Sequence, residues 1–163
     1  MQVKISIMGK NSIIPEELQR MEKSMKGGYV LEFYLLNGSR LKVGKLGKFY
    51  LEEGYYYYAG SAMGGLRGRL SRHLSDKVNL YWHIDYFTDT HPVNRLWYMI
   101  SETKIESRIA DMLGQIAEPS IPGFGCGDSP DAVSHLFYSK NPLKLNRHLL
   151  EFKNALEVKI SMK

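Results

Sequence analysis

Cysteine is nearly absent: Cys126 is the only one in 163 residues. That excludes a disulfide within the chain and any zinc site built on two or more thiolates. A lone thiol suits a reducing compartment, so a cytoplasmic location is expected. Long hydrophobic runs are also missing, and nothing approaches the roughly 18 consecutive apolar residues of a membrane helix. Met1 to Met8 alternate in polarity and are too short for a secretory signal core. Neither secretion nor a membrane partner is expected. Acidic residues are in deficit, 17 against 22 Lys and Arg, which leaves a net charge of +5 and a pI near 9.2. Such an excess allows a nucleic acid as partner without requiring one.

What is present describes an ordinary globular chain, 44% hydrophobic and 24% charged. Val3, Ile5 and Ile7 alternate with Lys4 and Ser6, as a half-buried strand does. Pro15 opens a helix expected over 16–25, stopped by Gly27-Gly28. Residues 29–36 are β-prone, Asn37-Gly38 signals a hairpin, and 41–43 return. Residues 49–51 and 55–58 read as further strand pieces. The second of these is four consecutive tyrosines out of the chain's 11. In a strand, Tyr56 and Tyr58 face one side, Tyr55 and Tyr57 the other.

Further along, a helix is expected over 66–74, an aromatic segment over 81–87, and a strand over 96–100. A helix over 103–117 follows, with Ile105, Ile109, Met112, Leu113 and Ile116 as its apolar stripe. A strand over 135–138 precedes Asn141-Pro142, the start signal of a helix reaching about 155. Leu156, Val158, Ile160 and Met162 alternate as a strand. Val158-Lys159-Ile160-Ser161 repeats Val3-Lys4-Ile5-Ser6 letter for letter. Chance accounts for four residues; the sharper reading pairs the two terminal strands, within one chain or across a homodimer.

The densest positive segment lies between Gly54 and Ser75, which holds Arg67, Arg69, Arg72 and His73 but no acid. It follows the small polar turn Ala59-Gly60-Ser61-Ala62. A strand, a Gly/Ser turn and a basic helix suit a phosphate, because the turn lets it approach the backbone and arginine supplies a forked donor. At about 100° per residue, Leu66, Leu70 and Leu74 form a buried stripe with Arg69 and His73 along one edge. Arg67 borders the other edge and Arg72 points outward. The plainer reading is a solvated basic helix.

Tyr58-Ala59-Gly60-Ser61, followed by Leu66, Arg69 and His73, resembles the second half of the GIY-YIG nuclease signature, with Gly28-Tyr29 as the first half. Tyr57 to Ala62, Gly64-Gly65-Leu66, Arg72-His73-Leu74, Trp82-His83-Ile84-Asp85-Tyr86, Phe124-Gly125-Cys126 and Ser134-His135-Leu136 together resemble a small branch of that superfamily without an assigned function. Its members occur alone or fused to DNA-repair glycosylase-like domains. The likeness spans about residues 28–138. The first half lacks its isoleucine, an extra hairpin over 41–51 separates the halves, and the late loop carries Cys126 alone where the branch has further cysteines.

The resemblance implies an α/β fold: a small central mixed or antiparallel sheet flanked by helices over residues 27–139, with terminal extensions over 1–26 and 140–163. It implies one divalent metal, magnesium or manganese, as cofactor. Arg69 matches the arginine that binds the scissile phosphate. Tyr29 and Tyr58 match the tyrosines that flank the attacking water, and either could be the base. His73 would assist them or sit at the helix edge. Glu106 is the metal candidate, although Thr103-x-x-Glu106 also reads as a capping box, and Glu102 is the alternative carboxylate. His83 is a further catalytic candidate; if the segment is extended, it shares a face with Asp85. His135 reads as structural. Ser61, Arg67 and Arg72 would bind nucleic acid, and Lys140, Lys144, Arg147 and Lys153 would add backbone contacts or form a solvated face.

The expected function is therefore a metal-dependent DNA endonuclease that hydrolyses phosphodiester bonds. One alternative is a non-catalytic nucleic-acid-binding module using the same basic helix. The other is a structural or oligomerisation protein in which the tyrosines are core.

Overall fold

A computed structural model describes residues 2–8, 14–76, 79–127, 133–152 and 154–162. Lys153 and the loop residues 128–131 lie outside the described residues. The chain runs β1 (Gln2–Met8), α1 (Glu16–Gln19), β2 (Gly27–Leu35), β3 (Ser39–Val43), β4 (Gly47–Leu51), β5 (Gly54–Ala62), α2 (Leu66–Leu74), α3 (His83–Thr90), β6 (Arg95–Ile100), α4 (Glu106–Ile116), β7 (Glu118–Pro119), β8 (Leu136–Ser139), α5 (Leu145–His148) and β9 (Leu156–Met162). Seven strands form one sheet in the order β1-β9-β6-β2-β5-β8-β7. β1 and β9 pair in parallel; the other neighbours are antiparallel. The fold is thus mixed α/β, with helices on both faces. Among the described residues no helix is long and apolar enough to cross a membrane.

β2 and β5 lie side by side and are buried on both faces, which explains their near-continuous apolar sequence. On one face, Tyr29, Leu31, Phe33, Tyr56 and Tyr58 pack under α1, α2, α3 and the β3–β4 hairpin. On the other, Val30, Tyr57, Ala59 and Trp97 pack under α4 and α5. The tyrosine run alternates between the faces as a strand must. Glu32 is fully buried on the second face. It accepts hydrogen bonds from Arg95 Nε (2.9 Å) and Nη2 (2.8 Å), Tyr57 Oη (2.8 Å) and Asn94. Arg95 Nη1 also reaches Glu157 at 3.2 Å, so two buried carboxylates share one guanidinium across β2, β6 and β9.

Several elements differ from the sequence expectation. The helix expected over 16–25 stops at Gln19. Met25 O accepts from Leu66 N (2.8 Å) and Lys26 O from Ser101 N (2.9 Å), which ties this backbone to α2 and to the end of β6. β3 does not return along β2, because β5 and β6 already occupy both edges of β2. It pairs with β4 instead, giving the expected extra hairpin. Residues 81–87 are not extended: α3 starts at His83, and His83 and Asp85 share no strand face. The helix expected from Asn141 is limited to Leu145–His148 and one 3₁₀ turn. Asn154, at φ 56°, then turns the chain into β9. The terminal strands do pair, and within the chain; Lys4 lies opposite Val158, one residue out of step with the repeated letters.

Candidate active site

The cleft forms where β2 begins and β5 ends. There the sheet presents Tyr29 and Tyr58 towards α2, with ring centroids 6.3 Å apart. Close approach is possible because Gly60 lies opposite Tyr29 in the ladder. A Cβ on Gly60 would stand 2.4 Å from the Tyr29 ring. On the opposite face, a Cβ on Gly28 would meet Ile109 at 2.5 Å, so glycine lets α4 settle against β2. Gly28 and Gly60 therefore both make room for a neighbouring group.

α2 buries Leu66 and Leu70 and brings His73 fully inside instead of leaving it at the helix edge. Tyr29 Oη and His73 Nε2 are hydrogen-bonded at 2.7 Å. One turn earlier, Arg69 Nη1 donates to Ser61 O at 3.1 Å, and its guanidinium lies 4.4 Å from the Trp82 ring. Ser61 Oγ donates to Glu106 Oε2 at 3.2 Å. Glu106 is the first residue of α4 and is not engaged in a capping box. Thr103 N bonds Ser101 Oγ instead, which leaves the carboxylate for the cleft. Its other oxygen faces His135 Nδ1 (3.7 Å) and Lys104 Nζ (3.8 Å). The far wall is the loop before β8. Gly125 N donates to His83 Nδ1 at 2.9 Å, so Nε2 carries the proton of the neutral His83 ring. The cleft holds about 350 Å³ and is lined by Tyr29, Tyr58, Arg69, His73, Tyr81, Trp82, His83, Ile84, Glu106, Gly125 and Gly127.

Burial dominates the electrostatics. It pushes the Tyr29 hydroxyl well above the ordinary tyrosine range, despite the opposing Arg69 guanidinium beside it. Tyr58 is raised in the same way, by burial and then by its neighbour Tyr29. In both, burial favours the neutral phenol. Burial lowers His83 and favours its neutral ring. It lowers His135 too, with Glu106 opposing.

Of the expected site residues, Tyr29, Tyr58, Arg69, His73, His83 and Glu106 meet in this cleft, with Ser61 at its edge. Arg67 is half-buried on α2 and outside the lining. Arg72 does not point outward. Its Nη2 bonds Asp85 Oδ2 at 2.7 Å, because a buried carboxylate needs a counter-charge. The same oxygen accepts from Tyr81 N and Trp82 N, both at 2.9 Å, and so caps α3. Burial opposes the ionised form of Asp85, but the Arg72 bond and these N–H groups outweigh it and hold the carboxyl below its usual range.

The sequence model of a family described as domain of unknown function DUF123 matches residues 28–158. The chain belongs to this family. Neither the curated proteins nor the solved structures gave a match. The DUF123 span begins on Gly28 and ends in β9, so it takes in every residue of the cleft. Two lining residues of this DUF123 cleft, Tyr81 and Trp82, were given no role by sequence reasoning. Their signal was there: aromatics placed just after a basic helix.

Proposed function

We propose that the cleft is the active centre of a metal-dependent DNA endonuclease of GIY-YIG type. The observation that carries this reading is the Tyr29–His73 hydrogen bond of 2.7 Å, set between Arg69 and Glu106 in one cleft. The two signature halves lie on adjacent strands, Gly28-Tyr29 on β2 against Gly60-Ser61 on β5.

The donor set fits the metal this reading requires. Carboxylate and hydroxyl oxygens in an open polar cleft suit magnesium or manganese, which take one or two carboxylates and complete their shell with water. Glu106 would hold the ion, with Ser61 beside it, and the ion would supply Lewis-acid stabilisation and a more acidic water. The chain's own residues do the rest. Arg69 spends one donor on Ser61 O and keeps others for the non-bridging oxygens of the scissile phosphate. Tyr29 orients the attacking water. Burial favours its neutral phenol, so it works as a relay: Tyr29 Oη takes the water proton as its own passes to His73 Nε2. Tyr58 closes the other side of the water. His83 Nε2–H is a further donor for a phosphate oxygen.

The test is cleavage of labelled duplex, nicked, flapped, four-way and single-stranded DNA with magnesium or manganese. Arg69→Ala and Glu106→Ala are each expected to lose about 10²–10³-fold in rate, with folding confirmed by circular dichroism. DNA binding without cutting, undiminished in Glu106→Ala, would replace this reading with a non-catalytic binding module. Absence of both binding and cutting would favour a structural role.

A further inference from the structure

Most large apolar side chains near the cleft are buried, but Tyr81 is 78% exposed and Trp82 38% exposed at its mouth. The rings meet edge to face, centroids 5.4 Å apart and planes at 86°. They are held in place: both backbone N–H groups donate to the buried Asp85, and the guanidinium groups of Arg69 and Arg72 lie 4.4 and 5.0 Å from the Trp82 ring. Tyrosine and tryptophan suit recognition surfaces, because each offers a large rigid apolar face with a polar end. The charge beside the pair is positive, and Arg69 has no salt-bridge partner among the described residues.

We propose that Tyr81 and Trp82 are a stacking platform for an unpaired base of a DNA strand whose phosphate lies at Arg69. The proposal rests on reading the cleft as a DNA site, and it names the substrate class: single-stranded DNA, or a flap or frayed end. A phosphate and the base of the same nucleotide are close neighbours, as are Arg69 and the aromatic pair. A base inside a duplex cannot use the platform, because its faces are covered by its neighbours and only its edges are accessible. An aromatic ring beside a cation takes any unpaired base, since every base has a π-face.

The test is DNA binding without added metal and with EDTA, so that no strand is cut. Labelled oligothymidylate and a blunt duplex are titrated by fluorescence anisotropy against wild type, Tyr81→Ala and Tyr81→Phe. The single strand is expected to bind wild type more tightly than the duplex. Tyr81→Ala should weaken single-strand binding about 5- to 100-fold and leave duplex binding unchanged, while Tyr81→Phe keeps it. Tryptophan emission should be quenched by the single strand; the chain has two tryptophans, and Trp97 is buried. Equal single-strand affinity in Tyr81→Ala and wild type would overturn the platform, as would tighter binding of the blunt duplex. The two readings fail separately. Tyr81-dependent binding with no cleavage under any metal would keep the platform and remove the nuclease. Wild-type cleavage rates in Tyr81→Ala on flapped DNA would do the reverse.

Discussion

A methyl group on Gly60 would lie 2.4 Å from the Tyr29 ring carbon that carries the hydroxyl. The ring is fully buried and cannot retreat into solvent. Gly60→Ala is therefore expected to cost about 1–3 kcal/mol by overpacking and to displace the hydroxyl from His73; thermal melting and cleavage assays read the two effects. Tyr29→Phe separates chemistry from packing. It keeps the ring, removes the 2.7 Å bond, and on the proposed nuclease reading is expected to slow cutting by about 10²–10⁴-fold with a stability loss of about 1–3 kcal/mol. A full loss of folding would contradict this assignment. At this scale the sequence is informative where spacing alone decides: Arg69 and His73 are one helical turn apart, and Tyr56 and Tyr58 alternate with Tyr55 and Tyr57. It misplaces Arg72, expected to point outward, because the partner Asp85 stands beyond a loop and on another helix.

Between elements, Asp85 joins α2 to α3 through one carboxylate oxygen that takes Arg72, Tyr81 N and Trp82 N. Its carboxyl is held below the usual range in the fold. The fold therefore binds fewer protons here than the unfolded chain. The stabilisation is present above the unfolded value near pH 4 and is lost as pH falls through the folded value. Asp85→Asn is expected to cost about 1–3 kcal/mol at pH 7 and to melt with a weaker dependence on pH below 4 than wild type. A pH profile parallel to that of wild type would refute the assignment. The elements that periodicity foretold well, α2 and β9, take most of their definition from their own residues. α1 and α5 are shorter than expected because distant backbone and side chains claim their ends. Asn146, for one, bonds both Trp97 Nε1 and Glu157. Leu143 N, just before α5, donates to Tyr57 Oη.

Across the molecule, strand order was the least legible feature. The strands could be read from alternation and turn residues, but nothing local says that β2 sits between β5 and β6, or that β9 separates β1 from β6. The buried Glu32–Arg95–Glu157 group bridges three of those strands. Arg95→Met would leave two carboxylates buried without their cation. It is expected to cost about 3–5 kcal/mol, lowering the melting temperature by roughly 10 °C for a chain of this size. Differential scanning calorimetry reads this directly, and a shift under about 2 °C would show that water reaches the carboxylates.

That ionic bridge also constrains how such a sequence can drift. Loss of Arg95 alone strands two negative charges, and loss of either glutamate alone leaves the other bonded to a cation that still lies between them. Replacing all three by apolar residues together carries far less cost. Among related chains, Arg95 should therefore be lost only where Glu32 and Glu157 are lost with it, whereas either glutamate can go alone and leave its fellow paired.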